Sequence, residues 1–408
     1  MMHRRFLMQA GGAILCGLAT DAAPGSSGIT RTPLEDSRRV KLFLCGDVMT
    51  GRGIDQILGH PGNPRLFERY VDSAREYVEI AERASGVIPR RVEPDYIWGD
   101  ALAELERVRP DVRLVNLETA VTTAGEAWPG KDIHYRMHPD NVRCLAAARI
   151  DCCVLANNHV LDWGYAGLEE TIATLHAAGI RPVGAGKDAA QAAAPAAIDT
   201  PGGIRVLVFA YGGASAGVPM EWAARKRRAG VNVLDEFAPD AARHVARDVR
   251  AMKQPGDVVI ASIHWGGNWG YDVPREHQEL AHHLIDEAGV DVVHGHSSHH
   301  PRPIEVYRDK LILYGCGDFL NDYEGIGGHQ SFRPELSLMY LPEFDPASGR
   351  LRYLALIPTR IRRFRVNRAS AQDATWLREM LNREGRPFGT SFELQAEAGG
   401  ALELRSGA

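Results

Sequence analysis

The feature that most limits how this chain can fold is a pattern that occurs five times: a short apolar run ends abruptly in polar residues able to bind metal ions. The runs are VKLFLCGDVM (40–49), DVRLVNLET (111–119), DCCVLANNH (151–159), DVVIASIHWG (257–266) and DVVHGHSSHH (291–300). Runs of this length are typical of buried strands, and helix-like stretches precede four of them. The alternation predicts an α/β fold in which loops at the carboxyl ends of strands converge on a site.

The polar residues at these strand ends form a mixed oxygen and nitrogen set. Taken singly, each has a structural explanation, such as a helix cap, a turn or a satisfied core histidine. Their occurrence at five successive strand ends instead predicts a metal site. Carboxylate, amide and imidazole ligands suit Mn²⁺, Zn²⁺ or Fe, and there are enough for one or two ions. The predicted ligands are Asp47, Glu118, Asn158, His264, His296 and His299.

Composition places the chain among globular proteins with a large core. Of 408 residues, 45% are hydrophobic and 24% charged, which excludes disordered, collagen-like and coiled-coil classes. The net charge is −5, so the chain lacks the basic character of a nucleic-acid-binding protein, and no nucleic-acid partner is expected.

The first residues predict export. Arg4 and Arg5 precede an apolar stretch that is too short for a comfortable membrane-spanning helix, and small residues follow near position 23. We therefore expect a signal peptide over 1–23 and a polar linker over 24–37. The protein is expected in the periplasm, the envelope or the medium, with membrane contact only through the N-terminal segment. The sequence leaves open the export route and whether the signal is cleaved.

The remainder is predicted to form two parts. A site-bearing domain spans 38–344 and includes a helical insertion over 60–108. From residue 345 the pattern changes to alternating β segments with one helix that begins near Ser370, which predicts a small C-terminal β/α appendage over 345–408.

The segments GDVM, NLET, ANNHVLDWG, IHWG, GHSSHHPRPIEVY and LILYGCGDF resemble, in order, those of the capsule-synthesis CapA family, also called poly-γ-glutamate synthesis proteins. That family belongs to the calcineurin-like metallophosphoesterase superfamily, and the resemblance covers about residues 38–330. It implies a four-layer α/β sandwich, two mixed β-sheets flanked by helices, around a dinuclear metal centre. It also implies that the six predicted ligands bind the metal and that His159 assists the leaving group or positions the transition state.

Three further residues are predicted to contact substrate: Asn157, Trp265 and Asp318. Trp265 begins an aromatic-rich loop over 265–271 which, with the helical insertion, is expected to wall the site. Asp318 stands where the family commonly has asparagine.

The chain also departs from the family pattern. Met49 replaces a frequent histidine ligand, Glu118 an aspartate and Ser297 a histidine. These departures predict that one metal position is weak or differently populated.

Two functions therefore stay open. The first is a metal-dependent, phosphatase-like hydrolase that acts on a phosphoester or an anionic polymer in capsule or poly-γ-glutamate biosynthesis. The second is a non-catalytic metal-binding accessory factor that binds such a polymer during assembly or export. With either function the protein is expected to act within an envelope biosynthesis complex. A measurement of substrate turnover would distinguish the two functions.

Overall fold

The computed structural model describes residues 39–395 and 400–405; the predicted signal and linker lie outside them. The strands are β1 (Val40–Val48), β2 (Val112–Leu117), β3 (Ala120–Val121), β4 (Arg136–Met137), β5 (Cys152–Val154), β6 (Arg181–Val183), β7 (Ala185–Gly186), β8 (Ala196–Asp199), β9 (Arg205–Gly213), β10 (Gly230–Val231), β11 (Val233–Leu234), β12 (Val258–His264), β13 (Val292–His296), β14 (Ile304–Tyr307), β15 (Lys310–Leu313), β16 (Asp318–Leu320), β17 (Leu336–Asp345), β18 (Arg350–Ile361), β19 (Val366–Arg368), β20 (Phe392–Gln395) and β21 (Ala401–Leu404).

The α-helices are α1 (Arg52–Ile57), α2 (Ala74–Ser85), α3 (Asp100–Val108), α4 (Arg143–Ala147), α5 (Gly164–Ala177), α6 (Ala189–Ala193), α7 (Ala241–Met252), α8 (Arg275–Asp286) and α9 (Ala371–Glu384). Helices α2 and α3 lie within the predicted insertion. Within the described part of the chain, no helix is long and apolar enough to cross a membrane.

Most strands form two mixed sheets. The first sheet has the order β20-β21-β18-β17-β1-β2-β5-β6, with β16 paired to β1 and β19 to β18. Its β1, β2, β5 and β6 are parallel, whereas β17 runs antiparallel to β1. The second sheet has the order β11-β9-β12-β13-β15-β14, with β8 on β9. The predicted fold, two mixed sheets with flanking helices, is confirmed.

The two faces of the second sheet belong to different cores. On β12, Val258 and Ile260 join the core that is shared with the first sheet, whereas Val259 and Ile263 join a separate core with residues of α7 and α8. Side chains alternate between the faces of a strand, so His264, six residues after Val258, points toward the first sheet. This alternation brings the polar ends of β12 and β13 against the end of β1.

The C-terminal β-rich segment continues the first sheet at one edge. The long hairpin of β17 and β18 pairs from Leu336 with Arg360 to Asp345 with Arg350, and so crosses the boundary predicted at 344/345. The helix predicted to begin at Ser370 is α9, whose first turn is capped where the Ser370 hydroxyl accepts a hydrogen bond from the Asp373 amide (3.1 Å).

Candidate metal centre

Four predicted ligands lie at the carboxyl ends of four strands. Asp47 is in β1, Glu118 follows β2, and His264 and His296 end β12 and β13. All four are at most 2% exposed. Ligand atoms of Asp47, His264 and His296 lie within 4.8 Å of one another, and those of Asp47, His299 and Asp318 form a second such group. Asp47 is common to both.

We call Glu118, His264 and His296 the imidazole side of the site. The two Nδ1 atoms of His264 and His296 are 2.8 Å apart, and the Nε2 atom of His264 is 3.7 Å from Glu118 Oε1. Within the described residues, three buried atoms of the predicted ligands lack a hydrogen-bond partner: Glu118 Oε2, His264 Nε2 and Asn158 Oδ1. Buried polar atoms are rarely left unpaired, so these atoms fit a site that binds a cation.

We call His299 and Asp318 the carboxylate side. His299 Nδ1 is 2.8 Å from Asp318 Oδ1, and Asn321 donates to the other carboxylate oxygen (2.7 Å). Asp318 is fully buried and is in register with Asp47 across the β1–β16 pair. The structure therefore places Asp318, predicted to contact substrate, beside a predicted ligand.

Burial and like charge perturb the carboxyl groups. Burial, with the charge of Asp318, raises the pKa of Asp47 to about 7. Burial, with the charge of Asp47, raises the pKa of Glu118 well above its usual value. Burial also lowers the pKa of His264 and His296 well below the ordinary value, so these imidazoles are neutral. Clustered carboxylates beside neutral imidazoles are short of positive charge, which suits a divalent cation.

His159 stands at the edge of the imidazole side. Its Nδ1 atom is 2.7 Å from Asp162 Oδ2, and its Nε2 atom is 3.8 Å from Glu118 Oε1. The Lys131 ammonium, which can only donate, lies 3.0 Å from the same Nδ1 atom. The nearer Asp162 carboxylate can only accept, so we assign the proton to Nδ1, which leaves Nε2 to exchange one. Burial lowers the pKa of His159 to about 4. Lys131 binds Asp162 and the Asn158 carbonyl (2.6 Å).

Asn157 organises the backbone of the site. Its side-chain amide donates to Asn116 Oδ1 (3.0 Å) and to the Leu117 carbonyl (2.9 Å). Asn116 in turn donates to Asp47 Oδ1 (2.7 Å). Asn157, predicted to contact substrate, is fully buried in this network and holds the ends of β2 and β5 in place.

Trp265 faces away from the site. It is 1% exposed, donates to the Tyr314 carbonyl (3.1 Å) and stacks on His277. Because His264 points toward the first sheet, the next side chain points toward α7 and α8. This placement gives no support to the predicted substrate contact of Trp265, and Trp269 lines the adjoining cavity instead.

That cavity, of about 990 Å³, opens beside the carboxylate side. His299 and Trp269 line it, with Arg52, Tyr77 and Glu68 from the region around the helical insertion. The expectation that this insertion borders the site therefore agrees with the cavity lining.

The family follows from a direct comparison. A family model described as "Bacterial capsule synthesis protein PGA_cap" matches residues 41–323. The chain belongs to this family. A Mycobacterium tuberculosis protein named "Probable polyglutamine synthesis accessory protein" is 54% identical over 351 residues, which is 86% of this chain and 92% of that one. The "PGA biosynthesis protein CapA" of Bacillus subtilis is 26% identical over 68% of this chain and 62% of its own length. The predicted family is confirmed.

Among solved structures, a phosphatase of Mycoplasma pneumoniae aligns with 79% of this PGA_cap chain and 94% of its own, at 11% identity and a TM-score of 0.43.

Sequence reasoning missed several residues of this PGA_cap site. Asp162 could have been found, because it lies three residues after His159 within the ANNHVLDWG segment. Lys131 lies in a loop without a recognisable pattern. The side chain of Arg52 is 2% exposed, and its guanidinium binds Asp322 (2.5 Å) and Glu68 (2.9 Å). No local signal in the sequence links these positions.

Proposed function

We propose that this protein is a metal-dependent, phosphatase-like hydrolase that acts on a phosphoester or an anionic polymer in capsule or poly-γ-glutamate biosynthesis. One observation carries the proposal. Glu118 Oε2 and His264 Nε2 have no hydrogen-bond partner among the described residues. Glu118 lies within 4 Å of both His264 and His159, a histidine oriented by a buried aspartate. Ligand atoms beside an oriented acid–base group are what metal-assisted hydrolysis requires.

The cofactor is proposed to be one or two divalent transition-metal ions: Mn²⁺, Zn²⁺ or Fe²⁺. Asp47, Glu118, His264 and His296 would hold the first, with Asn158 as an oxygen ligand, and Asp47, His299 and Asp318 offer a second position. When bound, the ion supplies Lewis acidity toward a substrate oxygen.

The protein residues then have separate tasks. Asp162 fixes the proton of His159 on Nδ1, which leaves Nε2 to take up a proton or deliver one to the leaving oxygen. Lys131 offsets the charge of Asp162. Asn157, through Asn116, keeps Asp47 in position.

The cavity supports an anionic substrate. Of the five acidic residues that line it, four are already held by arginine side chains or backbone amides: Glu68, Glu324, Glu335 and Asp373. The fifth, Asp132, has no ion-pair partner among the described residues. Arg69 and Arg362, both exposed, also line the cavity, and each lacks an ion-pair partner among the residues that the structure describes. They are therefore available to phosphate or carboxylate groups.

The second candidate is a non-catalytic accessory factor that binds the polymer. The pairing of His299 with Asp318 favours it, because two ligands that neutralise each other need no second ion.

For either function we also propose export and membership of an envelope biosynthesis complex. The predicted signal over 1–23 supports export, and the relative named as an accessory protein supports the complex.

The test combines metal analysis with turnover of generic phosphomonoesters, phosphodiesters and γ-linked polyglutamate. We expect bound metal and measurable hydrolysis in the natural protein. His159→Gln should keep the metal and lose about 10²–10⁴-fold in kcat. The matched control is His176→Gln, which changes an exposed histidine of α5. Stoichiometric metal without turnover of any substrate, together with retained polymer binding, would establish the accessory function instead.

A further inference from the structure

Behind His296 lies a series of buried polar groups joined by hydrogen bonds, which we call the hydrogen-bond chain. No role described above explains it. The Nε2 atom of His296 is 2.9 Å from the Ser262 hydroxyl. The same hydroxyl is 3.0 Å from Nδ1 of His294, whose Nε2 is 2.9 Å from the Cys45 carbonyl. Ser262, His294 and His296 are fully buried. The chain thus runs from a predicted ligand on the second sheet to the backbone of β1.

Strand geometry makes this chain possible. Ser262 is paired with His294, and His264 with His296, across the parallel ladder of β12 and β13. Residues two apart on a strand face the same side, so all four side chains point toward the first sheet. The Cys45 carbonyl completes the chain because β1 lies opposite this face.

The direction of each hydrogen bond follows from chemistry. The Cys45 carbonyl can only accept, so Nε2 of His294 carries a proton. Both hydrogen-bond partners of His294 are uncharged, and an unpaired cation in this position would be costly, so the imidazole is neutral and its Nδ1 accepts. The Ser262 hydroxyl therefore donates to His294 and accepts from His296.

We propose that Ser262 and His294 are positioning residues that hold the proton of His296 on Nε2 and so present the Nδ1 lone pair to the metal. The proposal rests on the metal site proposed above, since its consequence is a higher metal affinity. In the metal-free protein that lone pair accepts a hydrogen bond from Nδ1 of His264, 2.8 Å away in the Asp47 group, and a bound metal ion would take the place of this hydrogen bond. His264 would then bind the ion through Nε2, which has no partner among the described residues. A hydrogen bond at the second ring nitrogen is the usual way in which proteins fix the tautomer of a metal-binding histidine.

The first experiment measures the tautomer directly. Nitrogen NMR of metal-free protein labelled with ¹⁵N-histidine, assigned with His296→Gln, should show His296 protonated at Nε2 and not at Nδ1 at neutral pH. A proton on Nδ1 of His296 would overturn the proposal. This measurement uses the natural protein and needs no bound metal. It therefore distinguishes an error in the proposed role of Ser262 and His294 from an error in the proposed metal site.

The second experiment measures the affinity for Mn²⁺ and Zn²⁺ by competition with a chromophoric chelator. Ser262→Ala should weaken binding about 10–100-fold, because outer-shell partners contribute to that extent. Ser262→Thr, which keeps the hydroxyl, should restore most of the affinity.

The matched control is Ser337→Ala, which removes another fully buried strand hydroxyl that has no hydrogen-bond partner within the described chain. It should leave the affinity unchanged. Equal metal affinity of Ser262→Ala and the natural protein would contradict the proposed positioning role of Ser262 and His294. Absence of metal binding by the natural protein would contradict the proposed function.

Discussion

The two sides of the site share Asp47 but satisfy their charges differently. On the imidazole side, Glu118 Oε2 and His264 Nε2 have no hydrogen-bond partner among the described residues. On the carboxylate side, His299 is paired with Asp318, and Asp318 is also bound by Asn321. A ligand set that is incomplete by itself gains most from a cation, whereas a self-paired set must first break its own contacts. We therefore expect the first ion on the imidazole side and weaker binding on the carboxylate side.

Removal of an imidazole should have the largest effect on metal binding. His264→Ala deletes a ligand of the imidazole side, and we expect metal affinity to fall at least about 100-fold and turnover to be lost with it. Metal content by mass spectrometry after dialysis measures the effect. His283→Ala, on the surface of α8, is the control and should retain full metal content. Normal metal content in His264→Ala would contradict the assignment of the first ion.

The network behind the carboxylate side should govern stability rather than metal binding. Arg52 binds Asp322 and Glu68 in a buried setting, and Arg52→Ala would leave both carboxylates without their cation. We expect a loss of about 3–5 kcal/mol in the free energy of unfolding, measured with denaturant. Metal affinity of the folded variant should stay within the range of the natural protein. Arg275→Ala, at an exposed pair, should cost less than about 1 kcal/mol.

The buried carboxyl group of Asp47 should make a contribution to the stability of the metal-free protein that falls as pH rises, opposite in sign to the contribution of the buried histidines, whose pKa values are lowered. Burial and Asp318 raise the pKa of Asp47 from 3.8 to about 7, so the folded state holds a proton that the unfolded state releases near pH 4. The resulting stabilisation is complete below pH 4 and is lost between about pH 4 and pH 7, an effect on the order of a few kcal/mol. Calorimetry at pH 5 and pH 7.5 measures it. The stability of the natural protein relative to Asp47→Asn isolates the contribution of Asp47 and should fall by a few kcal/mol from pH 5 to pH 7.5. A difference that stays constant with pH would refute the assignment.

The smallest expected effect concerns Asp318. Asp318→Asn removes the charge that keeps the pKa of His299 raised against the effect of burial, and it also removes one cause of the raised pKa of Asp47. Affinity for the first ion should therefore change by well under the tenfold typical of outer-shell losses. Isothermal titration with Mn²⁺ gives both affinity and stoichiometry. A collapse of the first binding event would show that the two sides act as one.

Strand ends could be predicted from the sequence because buried parallel strands have apolar runs with abrupt polar termini. Asp47, His264 and His296 were identified on that basis, and the structure brings them together. The orientation of Trp265 also follows from strand alternation, once His264 is known to face the first sheet. By that alternation Trp265 packs toward α7 and α8, whereas it was predicted to contact substrate.

Other contacts had no readable signal. Arg52 and Asp322 lie in segments far apart in the chain, and Lys131 comes from a loop whose path depends on the rest of the fold. Asn116 is a polar residue within an apolar strand, and the sequence alone gives it no role. The structure shows that it donates a hydrogen bond to Asp47. Such pairings depend on tertiary packing, which neither spacing nor composition encodes.

The pairing of Asp47 with Asp318 joins the first strand of the described fold to a strand near the end of the family-matched region. Contacts between residues so distant in sequence form late, because closing a long loop costs chain entropy before the contact is made. During synthesis, the carboxylate side cannot assemble until β16 has left the ribosome. If the proposed metal site is correct, shared use of Asp47 makes complete metal loading depend on a chain that has been synthesised at least through β16 and has folded there.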